Sequence, residues 1–208
     1  MLFVFLGIQG SGKGTQAKLL SQKLGLEHIN LGEYFRRQIA ENNPLGILAH
    51  EYLSKGHLVP DEIVCELVSK LMIKINKGFV FDGFPRTLSQ AEYLHYITPV
   101  ERVFYLELDD GIAKERMLAR RVCSFCRKDY NLLINPPKES DICDKCGNII
   151  VKRADDTIEL IQNRLELFHN ETHPLTEFYR SLDLLTVIKA NADINEIHQQ
   201  ILSYASKT

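Results

Sequence analysis

The chain has 208 residues, with 25 Lys and Arg against 27 Asp and Glu, a formal net charge of −2. Hydrophobic residues make up 45% and charged residues 25%, the balance of a globular protein with a real core. No apolar run approaches the roughly 20 residues of a membrane helix, and the near-neutral charge lacks the basic excess of a nucleic-acid or membrane-surface binder.

The first apolar run, LFVFL at 2–6, reads as a strand buried on both faces. It has no basic flank and is too short for a secretory signal, so a cytoplasmic protein is expected. Gly7-Ile8-Gln9-Gly10-Ser11-Gly12-Lys13-Gly14-Thr15 follows, leading into a helical pattern over 13–24. A polyphosphate needs backbone N–H groups turned into one concavity, close approach without Cβ atoms, and a positive helix end. The glycines permit that backbone, and Lys13 adds a point charge for β- and γ-phosphates. In the general pattern a hydroxyl residue directly follows the Lys; here Gly14 intervenes and Thr15 carries the hydroxyl. Such a loop alone leaves open whether the nucleotide is hydrolysed, transferred or sensed.

Periodicity then predicts helices over 33–42, 61–75, 87–96, 110–120 and 156–179, with strands at 79–81, 103–108 and 184–188. Capping boxes are expected at Thr87 with Gln90, Asp156 with Glu159 and Asp193 with Glu196. Alternating strands and helices imply an α/β fold with a parallel sheet. Cys65 reads as a small core residue within a helix. Asp82 and Arg86 follow the strand at 79–81, on the side where ligands enter an open parallel sheet. Arg116 and Arg120 share one helix face.

From 122 to about 151 the helical period vanishes. So long a stretch inside a compact domain should be a small insert with its own organisation. It holds Cys123-Ser-Phe-Cys126 and Cys143-Asp-Lys-Cys146, the spacing of a closed four-thiolate metal site. Zn²⁺ is the expected ion, and iron also occupies such sites. Arg116 and Arg120 precede the insert, and Arg153 and Arg164 follow it, as suits a lid that closes over phosphates.

Together these motifs resemble the adenylate kinase family, in its bacterial long-lid, zinc-containing type. The match runs through GIQGSGKGTQA (7–17), GEYFR (32–36), GHLVPDE (56–62), DGFPRT (82–87), ERMLARRVC (115–123), NPPK (135–138), RADD (153–156) and Arg164. The resemblance implies a P-loop three-layer core at 1–29, 60–118 and 157–208, an AMP-binding helical insert at 30–59 and a zinc-bearing lid at 119–156. It implies a monomer that transfers the ATP γ-phosphate to AMP with Mg²⁺, reversibly, giving two ADP.

By the same resemblance, Gly10, Ser11, Gly12, Lys13, Gly14 and Thr15 would hold the ATP phosphates. Arg86, Arg120, Arg153 and Arg164 would surround the transferred group, and Arg36 and Arg86 would grip AMP. Leu31, His57, Leu58, Val59, Gly83, Phe84 and Pro85 would line the AMP site, with Gln90 on its base. Arg116 and the backbone at Ala192 would meet the ATP adenine, Asp129 and Tyr130 would touch ATP from the lid, and Asp82 would hold Mg²⁺ through water.

Three positions depart from the family pattern: Leu31 replaces the usual Thr, Glu33 the usual Asp, and Ile134 a stacking aromatic. Leu31 cannot donate a side-chain hydrogen bond, which keeps a UMP or CMP kinase in view as the rival within the chemistry. A nucleotide sensor or zinc-ribbon adaptor without turnover is the rival outside it.

Overall fold

In the computed structural model, which describes residues 1–74, 77–153 and 155–206, the elements follow in this order. β1 (Leu2–Gly7), α1 (Lys13–Leu24), β2 (Glu27–Asn30), α2 (Leu31–Ala40), α3 (Pro44–Leu53), α4 (Asp61–Ile73), β3 (Phe79–Asp82) and α5 (Leu88–Ile97) form the first half. β4 (Arg102–Glu107) and α6 (Asp110–Leu118) lead to a small sheet of β5 (Arg120–Cys123), β6 (Asp129–Asn131) and β7 (Ile150–Lys152). α7 (Ile158–Leu167), a π-helical turn at Phe168–Thr172, α8 (Leu175–Ser181), β8 (Leu185–Lys189) and α9 (Ile194–Ala205) complete it.

Five strands make a parallel sheet in the order β2-β3-β1-β4-β8. Every residue of β1 and β3 is buried. Alternation along β1 sends Val4 and Leu6 into one apolar layer, with Phe81, Leu94 and Tyr179. It sends Phe3 and Phe5 into the other, with Leu20, Phe104 and Ile201. Helices therefore cover both faces, which is why these strands read as unbroken apolar runs. Cys65 in α4 lies half-buried against the first layer.

β2 and α3 escape the periodicity reading. β2 is a short edge strand, Glu27-His28-Ile29-Asn30, in which only Ile29 is buried, so it carries no apolar signature. α3 starts on Asn43, whose side chain accepts from the Gly46 N–H, with Pro44 in the first turn. Its Gly46 is required: an added Cβ would lie 2.0 Å from the Gln38 carbonyl oxygen of α2.

The helix expected over 156–179 is broken. Its cap is Thr157, accepting from the Leu160 N–H, because Asp156 is turned inward to arginines. Pro174, which has no N–H to continue a helical ladder, precedes α8. Residue 75, the expected end of α4, and Ala154 of the RADD motif lie outside the described residues.

The insert is indeed organised. β6-β5-β7 is antiparallel, with bridges at Asn131–Asn135 and Ile142–Ile149. Its apolar centre is Cys123, Tyr130, Cys143 and Ile150, flanked by Cys126 and Cys146.

Candidate active site

The carboxyl ends of β1, β2 and β3 share one rim of the sheet, bringing Gly7, Asn30 and Asp82 together. The glycine loop spans the gap from β1 to α1. Gly12 caps α1 in the left-handed region, at φ 88°, a conformation that favours glycine. An added Cβ at Gly14 would come 2.9 Å from Asp82 Oδ2, so the carboxylate lies directly against the first turn of α1. The Ser11 hydroxyl is buried in the loop without a hydrogen-bond partner among the described residues. Polar groups and a helix N-terminus converge here as a phosphate cradle requires.

Lys13 Nζ donates to the Ile8 carbonyl at 3.2 Å. Burial lowers its pKa to about 8; Asp82 opposes this, and the nearby Arg86, Arg120 and Arg164 add to it. The ammonium is the form that binds phosphate, so ATP affinity should fall as pH rises through about 8, and binding near that pH should take up a proton. Calorimetry in two buffers of different ionisation enthalpy reads that uptake, and equal heats near pH 8 would contradict it.

Two open cavities adjoin at Arg86. One is lined by Gly7, Gln9, Lys13, Pro85, Arg86 and Arg164 among others. The second is lined by Leu31, Gly32, Phe35, Val59 and Gln90 among others. Leu58, Gly83 and Arg86 belong to both walls. Arg86 is held there by its own Nε, which donates to the Gly83 carbonyl at 3.0 Å.

Gln90 is almost fully buried, and both ends of its amide are engaged. Oε1 accepts from the Arg86 N–H at 2.9 Å, and Nε2 donates to Asp61 Oδ1 at 2.6 Å. Thr87 caps α5, as expected, through the Gln90 N–H.

Arg120, Arg153 and Arg164 form one cluster. Arg120 makes a fork onto Asp156 at 2.8 and 2.6 Å. Arg153 makes another onto Asp155 at 3.1 and 2.9 Å. Arg164 reaches both carboxylates, at 2.8 Å to Asp155 and 3.3 Å to Asp156. Burial raises the Asp155 pKa, but Arg153 and Arg164 outweigh it and hold the carboxyl well below its usual range. Arg36 faces the same cluster from α2. Although solvent reaches it, desolvation by the surrounding walls, followed by repulsion from Arg153 and Arg120, lowers its pKa to about 10.

Lys13, Arg36, Arg86, Arg120, Arg153 and Arg164 thus outnumber the carboxylates of Asp82, Asp129, Asp155 and Asp156 around them. Two facing cavities with surplus cations where they meet suit two phosphorylated ligands set end to end. The sequence model of the adenylate kinase family matches residues 5–184. The chain belongs to the adenylate kinase family. An adenylate kinase of Clostridium novyi (strain NT) is 40% identical over 98% of both chains. One from Geobacillus sp. (strain WCH70) is 41% identical over 97% of this chain and 96% of its own. That of Bacillus subtilis (strain 168) is 39% identical over the same shares. As an adenylate kinase this chain is an ATP:AMP phosphotransferase that uses Mg²⁺ with ATP.

Other expected site residues take the following places. The Tyr130 O–H donates to Cys143 Sγ at 3.3 Å and accepts from the Asp144 N–H at 2.8 Å, inside the insert. The Phe84 side chain is fully buried against Phe81, so it lines neither cavity. His57 is exposed and likewise lines neither. Asp129 is exposed at the start of β6. Arg116 donates to the carbonyls of Gly10 at 3.4 Å and Ala190 at 3.0 Å, bridging the glycine loop to the segment that holds Ala192. The pairing of Asp155 and Asp156 with these arginines is what the sequence reading missed, since their acidic pair looks like a helix start.

The four expected ligands come together. Their sulfurs lie within 4.8 Å of one another, with Cys123–Cys146 and Cys126–Cys143 at 3.5 Å. A tetrahedral Zn²⁺ with Zn–S near 2.3 Å calls for sulfurs about 3.8 Å apart, so the set fits such an ion. Burial raises the Cys143 pKa, but hydrogen bonds from Tyr130 and the Lys145 and Cys146 backbone outweigh it and lower the thiol to about 6. At Cys126 a hydrogen bond from the Lys128 backbone lowers the pKa, but burial and the neighbouring thiols outweigh it and push the thiol up to about 11.

Proposed function

We propose that transfer occurs between the two cavities, with ATP phosphates on Gly10–Thr15 and AMP in the pocket of Leu31, Leu58, Val59, Gly83 and Gln90. The observation that carries this reading is the shared wall: Arg86 borders both cavities and can touch donor and acceptor phosphates at once. Lys13 would bridge the β- and γ-phosphates, and Arg36 and Arg86 would bind the AMP phosphate. Arg120, Arg153 and Arg164 would exchange Asp155 and Asp156 for phosphoryl oxygens. Catalysis is then positioning and charge neutralisation, with no covalent role for the protein. Mg²⁺ neutralises phosphate charge when bound, and Asp82 would hold it through water, an assignment its place against α1 supports.

In this proposal 1–29, 60–118 and 157–208 are the core, while 30–59 and 119–156 move to exclude water. A structural Zn²⁺ on Cys123, Cys126, Cys143 and Cys146 would hold the lid, as their geometry supports. We propose a cytoplasmic monomer, as the family resemblance implies. No nucleic-acid partner is proposed, consistent with the net charge of −2. No membrane partner is proposed either; no helix among the described residues is long and apolar enough to cross a membrane.

Acceptor choice tests the pocket. Leu31 leaves base recognition to Gln90, so ADP formation from ATP should be at least about tenfold more efficient with AMP than with GMP, CMP or UMP. Equal kcat/KM for CMP or UMP would remove Gln90 as the base reader.

A further inference from the structure

We propose that Asn30 is a positioning residue for phosphoryl transfer: its amide orients Asp82 and fastens that carboxylate to the first turn of α2. Asn30 ends β2 and pairs in parallel register with Asp82 at the end of β3. Its Oδ1 accepts from the Glu33 N–H at 2.7 Å, which makes it the cap of α2. Its Nδ2 donates to Asp82 Oδ2. The polarity of this bridge is forced, because a backbone N–H can only donate and a carboxylate can only accept.

The bridge uses one carboxylate oxygen and spares the other: among the described residues, no hydrogen bond reaches Asp82 Oδ1. His28 Nε2 stands 4.0 Å from Oδ2, too far for a hydrogen bond, so it does not share the task. Lys13 acts on Asp82 by charge, which sets no carboxylate angle. Asn30 is therefore the hydrogen-bonding group that fixes how Asp82 faces the glycine loop. The same side chain starts the helix whose Leu31, Gly32 and Phe35 line the acceptor cavity. One amide thus joins the wall of the acceptor pocket to the carboxylate on the metal side. The inference rests on the reading of Asp82 as the Mg²⁺-side carboxylate.

Asn30→Ser keeps a capping oxygen but stops short of Asp82, and Asn30→Asp keeps the cap but has no donor. Both should lower kcat by about tenfold or more, with KM for ATP and AMP within about threefold of the parent. A second readout is independent of turnover: the water-proton relaxation of Mn²⁺–ATP bound to the enzyme. It should shift in both variants in the direction seen for Asp82→Asn. Unchanged kcat and relaxation in both, while Asp82→Asn alters them, would overturn the role of Asn30 alone. An Asp82→Asn variant that alters neither would overturn the metal-side reading and this inference with it. A kcat loss that merely follows a lowered Tm would reduce Asn30 to a helix cap.

Discussion

Replacing Arg86 by Ala should lower kcat about 10³-fold or more while the protein stays folded. Arg86 stands in the wall common to both cavities, and its position is set by backbone contacts rather than by a counter-ion. Burial lowers its pKa, Asp82 raises it and Arg164 lowers it, so the charge stands partly desolvated beside another guanidinium. Phosphoryl oxygens entering there would relieve that crowding, and the relief is largest where charge builds up during transfer. Arg86→Lys should recover little, because an ammonium lacks the planar fork. The fold should survive because Arg86 contributes no side chain to either apolar layer. Single-turnover rates with ATP and AMP, beside thermal melts, make the measurement. Phosphotransfer near the parent rate would show that the cavities do not meet at the reaction centre.

Stripping the cysteine site should produce the largest loss of stability. The lid's apolar centre consists of the cysteines with Tyr130 and Ile150, far too little to hold three short strands in water. Metal binding in small domains of this kind supplies on the order of 10 kcal/mol at neutral pH. A strong chelator, or Cys143→Ser, should therefore create an early melting transition confined to the lid, followed by that of the core. Activity should fall with the first transition, since Arg120 opens β5 and Arg153 follows β7. Differential scanning calorimetry with parallel rate measurements checks this. A chelated protein with lost activity and unchanged melting would assign the metal a catalytic place instead.

The parallel sheet, the glycine cradle and the four-cysteine cluster were legible because each has a short-range signature. Unbroken apolar strands and a glycine spacing declare themselves within a dozen residues, and the paired C-x₂-C segments within about two dozen. β2 did not, because an edge strand with one buried residue needs only its neighbour's hydrogen bonds. Tyr130 was expected near ATP from the family resemblance alone; its partner in the structure, Cys143, is set by folding of the insert. Asp156 looked like a helix cap because capping residues and arginine partners use the same carboxylate. Only the return of α7 against the lid shows which role prevails. The bridging amide of Asn30 was hidden for a similar reason: Asp82 lies 52 positions away along the chain.

The arginine cluster carries its own counter-ions. Asp155 and Asp156 cancel much of its field a Debye length away, while the guanidinium edges remain intense at contact. A passing chloride or sulfate therefore meets little pull, and capture rates should depend only weakly on ionic strength. Selectivity among anions is then settled at touching range, where a ligand must match the spacing of several forks to displace two carboxylates.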